Sequence, residues 1–273
     1  MKKVFLLLTG FIIVLSAQAQ LGRLFSKKKK DPAADASSQI IKTPPPPKEK
    51  KDWSKVNIAN RPSDHLLIQY GGDMWLNRPD SVDTKGFSRH FNIYFMLDKP
   101  FKNDHRYSIA YGAGFTSSNI FFNGTRYVDL KAISSTLPFR TSALSGADSA
   151  SFKKFKLTTI YLDIPVELRY FSNPENPNHS WKFALTGKLG LLFNAYTKGK
   201  DLQNSTGGSV YGSNYIEKEY DSKFINGTKV ALGARVGYGN FSLNAEYQVT
   251  GVLRQGTGPD LHTLSIGLTV SGL

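Results

Sequence analysis

Between residues 65 and 273 the chain repeats one pattern eight times: apolar side chains at every second position, smaller or polar ones between them. The first run carries Leu66, Ile68, Tyr70, Gly72, Met74 and Leu76 on one face. Phe91, Ile93, Phe95 and Leu97 form the second, and Tyr107, Ile109, Tyr111, Ala113 and Phe115 the third. Thr158 to Tyr170 in steps of two make the fourth. Trp181, Phe183, Leu185, Leu189, Leu191 and Phe193 make the fifth. Val230 to Tyr238, Phe241 to Val249 and Leu264 to Val270 complete the set. A period of two puts successive side chains on opposite faces of an extended chain, so each run predicts a strand with one apolar face. The other faces carry Asp163, Glu167 and Arg169, then Lys182, Thr186 and Lys188, then Lys229 and Arg235, then Asn244, Glu246 and Gln248.

Two features decide between a soluble sandwich and a membrane barrel. The strand number is even, and the gaps alternate. Those at 77–88, 123–156, 199–227 and 252–260 are long, while those at 98–105, 172–180 and 239–240 are short. Turns at one end and loops at the other are the mark of an outer-membrane barrel. Second, Tyr107, Tyr170, Trp181, Tyr238 and Phe241 stand on the apolar face beside the short turns. Rings with an apolar body and a polar tip belong at a membrane edge, so these five are expected to form a periplasmic aromatic girdle. The expected fold is all-β: an eight-stranded antiparallel up-and-down transmembrane β-barrel, apolar side outward. Lipid cannot satisfy an open sheet edge, so the strands must close. Eight strands leave an interior only wide enough for side chains. Asp163, Glu167, Arg169, Lys188, Arg235 and Glu246 then form an enclosed charge network that must neutralise itself. The Gly239-Asn240 turn predicts Glu246 diagonal to Arg235, and similar counting sets Asp163 about level with Lys188.

The first residues read differently. Lys2 and Lys3 precede an apolar run from Val4 to Leu15, and Ala17-Gln18-Ala19 follows. That is the secretory pattern, giving a signal peptide over 1–19. The apolar run would span about 18 Å as a helix, short of the ~30 Å hydrocarbon core. Residues 20–60 hold ten basic and four acidic residues, with four consecutive prolines at 44–47. So little apolar surface predicts a disordered basic, Pro-rich periplasmic arm ahead of a barrel domain over 61–273. The net charge of +14 invites a nucleic-acid reading, but an exported protein does not meet cytoplasmic nucleic acid. The expected partners are outer-membrane lipid or lipopolysaccharide, and a periplasmic or secretion-system protein reached through residues 20–60.

Nothing in the motifs predicts turnover. The chain has no Cys, which excludes disulfides, thiolate metal sites and a cysteine nucleophile. None of its five His has a second ligand at metal-binding spacing, and no phosphate loop or nucleophile elbow occurs, so no metal or cofactor is expected. The alternative is a lipid-modifying barrel enzyme or a narrow conduit. His262 has the outward parity near the loop end, but the position two residues on, where such an enzyme needs serine, is Leu264.

The stretch Leu157-Thr158-Thr159-Ile160-Tyr161-Leu162-Asp163-Ile164-Pro165-Val166-Glu167-Leu168-Arg169-Tyr170 resembles a strand of the PorT-like outer-membrane β-barrel proteins of Bacteroidota. Lys188-Leu189-Gly190, Ala234-Arg235-Val236-Gly237-Tyr238 and Ser265-Ile266-Gly267-Leu268 are similar to later strands of that group. The resemblance implies a small barrel in the cell outer membrane; the even strand number, with the short turns on the terminus side, sets both termini in the periplasm. The founding member of that group serves type IX secretion, while the filled barrel and the lack of catalytic motifs point to a non-enzymatic anchor or interaction module. No set of functional residues comes with it.

Overall fold

The computed structural model describes residues 51–58, 65–80, 82–85, 88–124, 126–140 and 150–272. The expected signal peptide over 1–19, and residues 20–50, 59 and 60 of the expected arm, lie outside the described residues. The long strands are β1 (Leu66–Leu76), β2 (Ser88–Pro100) and β3 (Tyr107–Phe121). Two short ones, β4 (Tyr127–Val128) and β5 (Phe139–Arg140), precede β6 (Ser151–Phe171), β7 (Trp181–Gln203) and the short β8 (Ile216–Tyr220). The set ends with β9 (Thr228–Tyr238), β10 (Phe241–Gln248) and β11 (His262–Ser271).

Eight of these close on themselves in the order β6-β3-β2-β1-β11-β10-β9-β7, with β7 pairing back to β6. Each pairing around the ring is antiparallel. Side-chain placement is inverted relative to a water-soluble protein. Leu185, Leu189, Phe193 and Leu268 are 60–70% exposed, while Asp163, Arg169 and His90 are at most 1% exposed. A continuous outer apolar surface of this size is stable only against lipid. On β6 the outward apolar run lasts from Ile160 to Tyr170. That is about 33 Å of strand, and a tilt of ~35–45° brings it to the ~25 Å band of such barrels.

β6 and β7 do not stop at the band. Part of what the sequence presents as loop, at 151–156 and 199–203, is a continuation of these two strands, and β8 adds a third strand to their upper half. The remaining connections are not simply exposed surface either. Val128, Leu130, Phe224, Ile225 and Leu261 are fully buried and pack with Trp75, Phe122, Phe155 and Leu202. Backbone bonds interlock these connections: Leu137 N–H donates to the Thr257 carbonyl (2.7 Å) and Arg254 N–H to that of Phe224 (2.9 Å). The loop end is thus capped by an apolar core. Its residues were illegible as core because they come in short groups from connections far apart in sequence, with no sustained alternation.

The ring closes where β1 meets β11, and there Gly71 lies opposite Gly267. Both face inward beneath the His90 imidazole. A Cβ on Gly71 would fall 2.2 Å from the Ile266 carbonyl oxygen, and one on Gly267 2.6 Å from that of Tyr70. A Cβ on Gly187, by contrast, would meet nothing within 4 Å. Gly267→Val is therefore expected to cost about 2–3 kcal/mol through backbone displacement at the seam, and Gly187→Ala almost nothing. Urea titration of the two variants in detergent micelles, read by intrinsic fluorescence, checks the contrast.

Candidate functional site

The inward positions of eight strands converge on one narrow lumen, and the sequence fills it with hydrogen-bonding groups. Nearest the turns, the Glu167 carboxylate accepts from Arg169 Nε (2.7 Å) and from Arg235 Nη2 (3.0 Å), while Thr186 Oγ1 donates to its other oxygen (3.1 Å). Arg169 also lies 3.5 Å from Asp98. Midway, Asp163 accepts from Lys229 Nζ (2.8 Å), Thr116 Oγ1 (2.5 Å) and Tyr94 Oη (3.1 Å). At the same level Lys188 pairs with Glu246 and donates to Tyr94 Oη (3.0 Å). Towards the loops, Asp73 is joined by His90 Nδ1 (2.7 Å), by the Ser265 hydroxyl (2.6 Å) and by that of Ser118.

All six charges singled out in the sequence face this lumen. Asp163, Glu167, Arg169, Lys188 and Arg235 are buried, and the Glu246 side chain is 12% exposed. Their partners differ from the expected ones: Arg235 pairs with Glu167 rather than Glu246, and Asp163 with Lys229 rather than Lys188. The register explains why. Ala184 stands between Arg169 and Arg235 in one row, so Arg235 reaches over it towards β6. Gly190 stands between Asp163 and Lys229, and a Cβ there would sit 2.4 Å from the Asp163 carboxylate. Ala231 and Gly233 on β9 leave Lys188 a path to Glu246 on β10. Small residues on the intervening strands let long side chains span two strands.

Sequence reasoning missed Asp73, His90, Tyr94 and Asp98 as members of the network. Parity was the available signal, since His90, Asn92 and Tyr94 alternate with the outward Phe91, Ile93 and Phe95. The space left over is a cavity lined by Asp73, His90, Tyr161, Lys229 and Glu246, among others. It offers about 30 Å³ to water centres, room for about two waters.

Hydroxyls and histidines about the lumen are engaged with neighbours. Ser118 and Ser265 donate to the Asp73 carboxylate and not to the His90 ring, so neither hydroxyl is paired with the imidazole. Among the described residues no group of three or more His, Cys, Asp or Glu could hold a metal ion. His262 is turned to its own neighbourhood. Its Nδ1 meets the Gln248 carbonyl at 3.0 Å, its Nε2 lies 3.3 Å from Asp260, and its ring stacks on Tyr247.

The two ends differ in their rims. At the turn end Tyr107 packs on Tyr170 (5.1 Å between centroids) and Trp181 on Tyr238 (5.7 Å). Phe241 lies opposite Tyr238 in the register, 67% exposed on the outer surface. Residues 51–58, at the C-terminal end of the sequence's basic arm, touch this same rim. Lys51 pairs with Glu175 (2.5 Å), and the Trp53 carbonyl accepts from the His105 backbone N–H (3.4 Å) and faces its Nδ1 (2.9 Å). The Trp53 ring has Lys51 Nζ at 4.9 Å and the Arg106 guanidinium at 5.0 Å, a cation–π arrangement. Arg106 is held by Asp104 (Nη2 to Oδ2 2.6 Å), whose hydrogen bonds from Arg106 keep the carboxyl below its ordinary range. A depressed carboxyl contributes above its unfolded pKa, near 3.8, and its contribution disappears as pH falls through the lower, folded value. The clasp is therefore intact at neutral pH.

Residues 59–250 match the family described as outer membrane protein beta-barrel domain. Two structures of Ail, the attachment invasion locus protein of Yersinia pestis, align with 76% of this chain and 94% of their own. The first does so at 14% identity with a TM-score of 0.32. The other, in complex with the heparin analogue sucrose octasulfate, does so at 12% identity with a TM-score of 0.28. No curated protein matches the chain. With most of its length covered by the family match, this inside-out closed barrel belongs to the outer membrane protein beta-barrel domain family.

Proposed function

We propose that this outer-membrane β-barrel protein is a non-enzymatic anchor and interaction module, with both termini and the aromatic girdle on the periplasmic side. The observation that carries the reading is the filling of its lumen. An ion-paired network occupies the barrel from Glu167 to Asp73, and an apolar core covers the loop end. Among the described residues, a lumen filled in this way leaves neither a channel wide enough for solutes nor an interior cavity sized for a substrate. Its action must lie at its ends. At the turn end, the contacts of Lys51 and Trp53 with Glu175, His105 and Arg106 favour an arm that presents residues 20–50 to a periplasmic protein. The likeness of residues 157–170 to PorT-like barrels favours a secretion assembly, of type IX, as the setting.

Two measurements test the plugged interior. In planar bilayers the purified barrel is expected to give no large, stable conductance; an open state of that kind would overturn the reading. Lys188→Met leaves Glu246 buried without its partner and should destabilise the barrel by about 3–5 kcal/mol, whereas Lys188→Met combined with Glu246→Leu should recover most of it. Urea titration in micelles reads the difference.

The interaction role is tested by mild cross-linking in cells, followed by affinity capture of the full chain and of a chain lacking residues 20–60. A periplasmic partner captured with the first and lost with the second is the expected result. Identical capture by both would reduce the arm to a spacer.

A further inference from the structure

Above the lipid-facing band, the outer face of β6, β7 and β8 carries lysines in direct opposition. Lys156 is level with Lys198, and Lys198 with Lys218; one step further out, Lys154 is level with Lys200. Residues directly opposite on one face have Cβ atoms about 5 Å apart, where like charges destabilise a sheet. A bulge creates this clustering. Phe193 is an extra residue opposite the Ile160/Tyr161 step, so the parity of β7 changes there and Tyr196, Lys198 and Lys200 emerge outward.

The same sheet had acidic residues available and turns them elsewhere. Glu217 and Glu219 of β8 alternate onto the opposite face, level with Gly199 and Thr197. None of the five lysines forms an ion pair among the described residues. Lys156 donates instead to the Asn119 side-chain amide oxygen Oδ1 (2.6 Å). Arg89 joins the group across Phe121, whose ring has the guanidinium at 5.4 Å and Lys156 Nζ at 5.8 Å. Immediately below runs a row of polar and aromatic groups, Asn119, Thr158, Tyr196 and Tyr220, and below that the apolar band begins at Ile160. The cations thus stand at headgroup height, on the surface that faces lipid, with long stems able to lean towards phosphates.

We infer that this lysine ladder is a binding site for phosphorylated glycolipid headgroups of the outer leaflet, centred on Lys156, Lys198 and Lys218. The site rests on the proposed orientation, which sets the loop end at the cell exterior. Anionic phosphates convert the mutual repulsion of the ladder into shared attraction, and the neighbouring apolar band receives the acyl chains.

The test uses the full mature chain, purified in zwitterionic detergent, with bisphosphorylated lipid A, its enzymatically dephosphorylated form and inorganic phosphate as probes. Bisphosphorylated lipid A should bind, weakening as salt is raised. The triple variant Lys156→Gln/Lys198→Gln/Lys218→Gln should bind it roughly 10- to 100-fold more weakly. Because the substitutions relieve repulsion, the variant should resist urea at least as well as the parent, which separates lost binding from lost folding. Equal binding by the triple variant, or equal binding of the dephosphorylated lipid, would overturn the site. Displacement of lipid A by millimolar inorganic phosphate would overturn the lipid assignment in favour of a free anion. Orientation is read independently. The chain has no native Cys, so Lys200→Cys should react with an impermeant maleimide on intact cells. Labelling only after disruption would overturn the outer-leaflet source while leaving the binding measurements in detergent to stand for themselves.

Discussion

An unpaired strand edge cannot persist in hydrocarbon, and the rest of this structure depends on how that constraint is met. The first and last long strands must find each other across most of the chain's length, and they do so at β1 and β11. At that seam the backbones approach too closely for a side chain on either Gly71 or Gly267. The space so created is taken by the His90 ring, which then reaches Asp73 on the neighbouring strand. Closure and polar filling are therefore one event: the glycines that let the edges meet also seat a member of the interior network.

A closed ring of eight strands forces the next consequence. Its lumen is too narrow to be wet throughout, so charges placed there must satisfy one another. Buried ion pairs contribute little net stability, and apolar replacements of equal volume often do as well. Their value here is better sought in register. Lys229, Lys188 and Arg235 reach acids on other strands only because Gly190, Ala231 and Ala184 lie between. Slipping a strand by one residue would turn its inward charges into lipid and its outward leucines into a polar lumen. The network thus selects one pairing of the strands among many that the outer leucines alone would permit.

The alternation that defines the eight strands was legible because each lipid-facing residue is apolar for the same reason along the whole band. Where that reason ends, so did legibility. Past Ile160 and Phe193 the outer face no longer meets hydrocarbon, so Lys154, Lys156, Lys198 and Lys200 read as loop although they lie in β6 and β7. The bulge at Phe193 compounds this, since period-two counting carried through it assigns Lys198 and Lys200 to the wrong face. The buried residues of the loop-end cap were hidden for another reason: Val128, Leu137, Phe224 and Leu253 come from connections far apart in sequence and gain meaning only together. The interior charges were visible through their parity, but their partners were not. Counting along two strands says what is level and says nothing of a side chain that crosses a third.

Several cations of the described residues find a physical explanation in their positions relative to the band. At one rim Lys51 and Arg106 sit about the Trp53 ring; at the other stand Arg89 and the lysines of the ladder. Moving the barrel along the membrane normal in either direction would carry one of these sets into hydrocarbon. Each Lys or Arg on the lipid side costs about 0–1 kcal/mol near the interface and roughly 2–4 at the midplane. Several such groups at each rim hold the barrel at one depth, as the rings of Tyr107, Trp181, Tyr238 and Phe241 do at the turn end. A body held at a fixed height, with a rigid, filled interior, keeps its two rims at constant distances from the two leaflets. That geometry fits the proposed role of presentation, a segment offered on one side and headgroups gripped on the other, without any internal motion linking the two.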